Sequence, residues 1–190
     1  TMEYWWNPSA TWTGYNCHMG DNVYGGPTGA AWFGLNGTTW TMQFDSGTTL
    51  TFGTASYSVG TWYHIALVRS SNTIKLYVNG VQQGSSQSNS EDWRFYDGTS
   101  IGGYTDVYPM KSGYLSNFRM VAYTAIYTSN FTPPTSPLTD ISYTQILTCQ
   151  SNRFVDNSSR NIQFYQFGTP QVSRFSPFAP TISTQYSTST

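Results

Sequence analysis

The residues able to act as acids, bases, nucleophiles or metal ligands are few: nine carboxylates, two histidines and two cysteines in 190 residues. Retaining glycoside hydrolysis needs two carboxyls about 5 Å apart. The glutamates, Glu3 and Glu91, stand far apart in the chain. Asp21, Asp45, Asp92, Asp97, Asp106, Asp140 and Asp156 all fall in segments that read as turns, where a carboxylate commonly bonds nearby backbone. His64 follows Trp62 and Tyr63 inside an apolar run and reads as a packed strand histidine. His18 beside Cys17 offers part of a soft-metal set, whereas zinc needs four protein ligands, or three and a water. Cys17 and Cys149 can bridge only if the fold brings their Cα atoms within about 7 Å, which the sequence leaves open. These residues point away from hydrolysis and from zinc.

Aromatic side chains are the abundant resource. They make up 17% of the chain against 9% charged residues, with 7 Trp, 15 Tyr and 11 Phe. Sugar C–H faces stack on such rings without needing charge, and the indole and phenol edges add a polar handle. Of Trp5, Trp12, Trp32, Trp40 and Trp93, those in strand-like runs read as core. Trp12, within Ser9–Gly14, and Trp93, beside Glu91-Asp92, read as loop residues and are the candidate carbohydrate-binding residues. A net charge of −1 supplies no basic field for nucleic acid or an acidic membrane. No run approaches the roughly 20 apolar residues of a membrane helix, and no signal peptide is visible. The chain opens at Thr1 inside a strand-like pattern and reads as a processed or partial piece.

The elements that must position these side chains are strands. Few Lys or Glu and many Thr, Ser, Gly and Tyr argue for sheets. Thr61–Gln82 (TWYHIALVRSSNTIKLYVNGVQ) holds two short apolar runs, Trp62–Val68 and Ile74–Val78, around the polar loop Arg69–Thr73. That is a hairpin pattern, and Asn79-Gly80 predicts a tight turn directly after it. Ile74, Leu76 and Val78 alternate with a wetter face of Lys75, Tyr77 and Asn79. In the same way Met2, Tyr4 and Trp6 alternate with Glu3, Trp5 and Asn7. Further strands are predicted at Tyr15–Met19, closed by a Gly20-Asp21-Asn22 turn, and at Ala30–Leu35 and Trp40–Phe44 around Asn36-Gly37. Others are predicted at Leu50–Phe52, Tyr57–Val59, Ser100–Gly103 and Tyr114–Val121. Gly84–Asp92 reads as a polar surface loop, and the three prolines of Thr128–Leu138 predict an extended segment lying on a surface. Such spacing predicts a two-sheet antiparallel jelly-roll sandwich.

The hairpin WYHIALVR…IKLYVNGV, with TMEYWWNP before it and YLSNFRMV after it, resembles laminin-G-like domains of the concanavalin A-like lectin/glucanase jelly rolls. The resemblance covers most of residues 1–139 and implies that fold. It also implies what to look for. Glucanases of this fold carry a Glu-x-Asp-x-x-Glu strand, which is missing here, so the resemblance implies a protein that is not an enzyme. Laminin-G-like domains often hold Ca²⁺ on a loop rim, which suits hard oxygen ligands. On that basis Asp21 is the first candidate ligand and Asp97 the second; no other cofactor is implied.

Residues 140–190 depart from the family order. Ile146–Cys149 reads as a strand, and Phe154–Asn161 (FVDNSSRN) resembles the Asp-x-Ser-Gly-Asn turn near the start of many laminin-G-like domains, with Ile162–Phe167 as the strand after it. The tail therefore either completes the sandwich of residues 1–139 or opens the next copy of a tandem array. SNFRMVAYTAIYTSNFTPPTSPLT and ILTCQSNRFVDNSS also resemble a repeated module in structural proteins of marine tailed bacteriophages, cyanophages particularly. That resemblance implies a virion structural or appendage module exposed on the virion surface. Its implied partners are copies of itself, neighbouring virion proteins and a host-surface glycan. The alternative is a secreted or cell-surface carbohydrate-binding adhesin domain.

Overall fold

The computed structural model describes residues 1–21, 30–91, 93, 99–104, 108–151 and 153–178. Within them, period-two alternation of apolar residues produces strands and no helix. The strands are β1 (Met2–Pro8), β2 (Tyr15–Asp21), β3 (Ala30–Asn36), β4 (Thr39–Phe44), β5 (Thr49–Thr54), β6 (Tyr63–Ser70) and β7 (Thr73–Val78). Then follow β8 (Val81–Ser88), β9 (Thr99–Ile101), β10 (Gly103–Tyr104), β11 (Tyr108–Pro109), β12 (Gly113–Val121) and β13 (Thr144–Thr148). One sheet runs β13-β12-β1-β6-β7-β8, the other β5-β4-β3-β2-β9, and β10 pairs with β11. All pairings are antiparallel. The chain is the antiparallel two-sheet sandwich that its alternation predicts.

The facing surfaces interdigitate as one core. Met2, Tyr4 and Trp6 of β1, Ile65 and Leu67 of β6, Ile74 and Leu76 of β7 and Phe118 and Met120 of β12 meet Phe33, Leu35, Trp40, Met42, Phe44 and Phe52 from the other sheet. Burying each such side chain contributes about 1.5–3 kcal/mol. The Asn79-Gly80 turn forms as predicted, with φ of 50° and 76° and Val78 paired to Val81, as a type I′ hairpin requires.

Several boundaries differ from expectation. Ser70 pairs with Thr73, so the β6–β7 turn is Ser71-Asn72 alone rather than Arg69–Thr73. Residues 84–88 continue β8 as an edge strand instead of opening a surface loop. Their side chains are mostly polar and exposed, so no alternation marks them. Tyr57–Val59 forms no strand, and the Tyr57 ring packs edge-on to Trp6 at 5.0 Å instead. β2 runs on through Gly20 and Asp21, which pair with Ser100 and Thr99, so Asp21 ends a strand rather than making a turn.

The outer face of the six-stranded sheet, expected to be wet, is sealed by two straps. The proline-bearing segment after β12 lays Ala125, Tyr127 and Phe131 over Ala66, Val68 and Tyr77. Phe131 stacks on Tyr127 with 3.6 Å between centroids, and its N–H donates to Gly80 O at 2.9 Å. A Cβ on Gly80 would lie 1.8 Å from Phe131 O, so glycine there serves the strap as well as the turn. Farther along, Phe175 packs on Trp62 and Tyr114, and Phe178 on Trp5. Beneath the first strap Glu3 is 0% exposed. Arg119 donates to its Oε1 from Nε at 3.0 Å and from Nη2 at 2.6 Å, and Tyr127 donates to Oε2 at 2.8 Å. His64 Nε2 stands 3.2 Å from the same Oε2. Arg119 also donates to Thr139 O at 2.8 Å, tying the strap's far end.

The tail adds β13 beside β12. Asp156 then closes the outer edge, accepting from the N–H groups of Leu147 at 2.9 Å, Ser158 at 3.0 Å and Ile162 at 2.9 Å. Burial works against its charge, but these donors outweigh it and hold the carboxyl below its usual pKa. Ile162–Phe167, expected as a strand, forms none; Tyr165 and Phe167 are 81% and 79% exposed.

Three outcomes follow from this packing. Arg119→Ala strands a buried carboxylate and should cost about 3–5 kcal/mol in denaturant unfolding. A loss near 1 kcal/mol would show that Glu3 is solvated. Asp156→Ala should cost about 1.5–3 kcal/mol and expose the β13 edge to association, read by light scattering. Acid should destabilise in two stages. His18 is fully enclosed, with Nδ1 2.7 Å from the Tyr4 hydroxyl, and burial lowers its pKa to about 3. The unfolded chain therefore takes up that proton first, and stability falls below about pH 6.5 by up to about 1.4 kcal/mol per unit. Burial disfavours the Glu3 charge, but the His64 hydrogen bond and the Arg119 charge prevail and lower its pKa. Its contribution is present above the unfolded value of about 4.3 and is lost as pH falls through the folded one. His18→Gln should flatten the slope between about pH 6.5 and 4.5; an unchanged slope would remove His18 from the account.

Candidate functional site

Among the described residues no strap crosses the outer face of the five-stranded sheet. Its outward positions alternate with the core set: Tyr15 and Cys17 on β2, Trp32 and Gly34 on β3, Thr39, Thr41 and Gln43 on β4, Thr49 and Thr51 on β5. A bulge between Cys17 and Met19 lets both Cys17 and the core residues of β2 take their sides. Gly34 lies against it, where a Cβ would come within 2.2 Å of Asn16 O. The close approach leaves a recess of about 80 Å³ lined by Tyr15, Cys17, Trp32, Gln43 and Tyr108.

The walls are rings. Tyr15 meets Trp32 edge-on at 5.4 Å and Tyr108 at 4.9 Å. Tyr15 and Tyr108 remain 40% and 37% exposed, while Trp32 is largely covered. Trp32 and Gln43 are direct cross-strand partners, and the indole Nε1 donates to Gln43 Oε1 at 2.7 Å. The Cys17 thiol turns its proton to Met19 O, 3.1 Å away, and burial pushes its pKa far above the usual range. Its sulfur is thus an unreactive floor. No side chain lining the recess carries a charge at neutral pH, so the recess suits a neutral ligand that offers C–H faces and hydrogen-bonding oxygens.

The structure disperses the residues singled out from the sequence. Trp12 lies in the loop after β1, half-buried, with the Lys111 ammonium 6.0 Å from its ring centre. Trp93 packs against the main core, and neither tryptophan lines the recess. Asp21 ends β2; its side chain, and Asp97 altogether, lie outside the described residues. His18 and Cys17 face opposite sides of their sheet, His18 among Tyr4, Trp6 and Trp40 and Cys17 against Trp32. They cannot share a metal. Cys17 and Cys149 are both free thiols, on β2 and directly after β13. Tyr15, Trp32, Gln43 and Tyr108 were not anticipated as a group. The expected turn at Asn36-Gly37 would set Trp32 opposite Thr41; the turn that forms is Gly37-Thr38, with Asn36 paired to Thr39, and it sets Trp32 opposite Gln43.

Two solved structures are similar in part. One is described as a "putative carbohydrate binding protein" from Bacteroides ovatus, with 19% identity and a TM-score of 0.47 over 62% of this chain and 35% of that one. The other is a heptameric SAP-like pentraxin from Limulus polyphemus, with 18% identity and a TM-score of 0.45 over 62% of this chain and 61% of that one. This chain therefore spans about a third of the first and about three fifths of the second. No curated protein matches it. Residues 1–125 match the Laminin_G_3 family model, and with that share of its length matched the chain belongs to the Concanavalin A-like lectin/glucanases superfamily.

Proposed function

We propose that this chain is a non-enzymatic glycan-binding module carried on a bacteriophage virion appendage or fibre, with the Tyr15–Trp32–Gln43–Tyr108 recess as its binding face. The observation that carries the reading is an uncharged, ring-walled recess on the sheet face that no described strap covers. Two exposed phenols beside a fixed amide supply stacking surface and hydrogen bonding without charge. Catalysis would need a free carboxyl pair. Glu3 belongs to the other sheet, and both its oxygens are held by Arg119, Tyr127 and His64. The virion setting rests on the resemblance of residues 114–180 to phage modules and on a composition rich in Thr, Tyr and Gly with 9% charged residues.

A glycan array probed with the whole chain should return neutral glycans. Tyr15→Ala should weaken binding roughly two- to tenfold, the value of one aromatic contact, with circular dichroism unchanged. Binding to no glycan at any surface density would overturn the reading. Antibodies to the chain should decorate purified particles under the electron microscope; labelling of cell surfaces instead would replace the virion with an adhesin.

A further inference from the structure

The donor pattern and size of the recess narrow the ligand further, an inference that rests on the glycan-binding reading. We infer that the recess recognises the acetamido group of an N-acetylated neutral sugar, with Gln43 Nε2 donating to its carbonyl and the methyl seated against the Tyr15 and Trp32 rings. An indole N–H can only donate. The Gln43 atom 2.7 Å from Trp32 Nε1 is therefore the amide oxygen, and the NH₂ group must point elsewhere. Nε2 has no protein partner among the described residues, and Gln43 is only half-buried. Trp32 thus converts an ambivalent amide into a fixed donor. A ligand group in front of it must accept, as a carbonyl does.

Volume argues for the same group. A recess of about 80 Å³ has room for a small substituent of several heavy atoms, since a single water needs only about 10–15 Å³ of such space. A single planar substituent fits there, while the pyranose ring lies across the exposed faces of Tyr15 and Tyr108. A bare hydroxyl would leave most of the recess unfilled. A carboxylate-bearing sugar would find no cationic partner among the lining residues. An acetamido group matches both ends: its oxygen meets the fixed donor, and its methyl meets the adjoining Tyr15 and Trp32 rings. Tying a specific donor to an apolar end is what lets one small substituent be discriminated.

N,N′,N″-Triacetylchitotriose (chitotriose hereafter) differs from cellotriose only in carrying acetamido groups in place of the 2-hydroxyls, and the two make the decisive pair of probes. Titration calorimetry on the full chain should give at least about tenfold tighter binding of chitotriose, near 1.4 kcal/mol. Gln43→Glu keeps an acceptor for Trp32 but replaces the donor, and it should erase that preference. Saturation-transfer NMR on the unmodified protein tests the pose without a variant: the acetamido methyl should receive the strongest transfer. If array glycans bind but chitotriose binds no tighter than cellotriose, or the methyl shows weak transfer, the acetamido inference falls and the glycan reading stands. If nothing on the array binds, the glycan reading itself falls.

Discussion

A buried carboxylate dictates how this sandwich is closed. Glu3 is held on the outer side of β1, one of the two central strands of the six-stranded sheet, and the groups that hold it come from three other places: β6, β12 and the strap that follows β12. An ion there without partners would cost several kcal/mol. The strap cannot lift without uncovering it, and the sheet cannot shear without losing the paired guanidinium contacts. The interaction contributes less through net energy than through the arrangement it enforces. Strap, strand and neighbour must be in register together or not at all.

That constraint makes the two faces of the molecule unequal. On the six-stranded side, His64, Tyr77, Trp5 and Trp62 lie under strap residues and serve as a second, shallower core. On the five-stranded side no described strap crosses the sheet, and of the residues lining the recess Tyr15 and Tyr108 keep the most exposed surface while Trp32 and Cys17 are buried, so chemistry is confined to what that lining offers. Because none of the lining groups is charged, recognition there works through shape, ring faces and the direction of a single amide.

The alternation of residues 61–82, the Asn79-Gly80 turn and the strand ending at Val121 were legible because short-range pattern and turn chemistry agree. The wet face assigned to Glu3 and Tyr77 was not. Alternation reports which side meets the opposing sheet, and it is blind to a strap arriving from residues 125–131. Residues 84–88 escaped notice because an edge strand with exposed polar side chains carries no apolar period. The run 162–167 was misleading for the opposite reason, having the apolar residues but no partner to pair with. The recess depends on cross-strand register and on a bulge, both set by tertiary contact. Loop position therefore favoured Trp12 and Trp93, one shared with Lys111 and the other turned into the core.

The placement of β1 has a consequence for biosynthesis. It lies between β6 and β12, both of which are made after it. At ribosomal speeds of roughly 5–20 residues per second, the wait from β1 to the end of β12 is on the order of ten seconds. The β6–β7–β8 meander is local and can close within about 1–10 μs per hairpin once it has emerged. Once that meander exists β1 can pair with β6, but the edge that β12 will take stays open until residues 113–121 are made. The open edge of β1 is thus a place where a nascent chain can pair wrongly for seconds before the sheet closes.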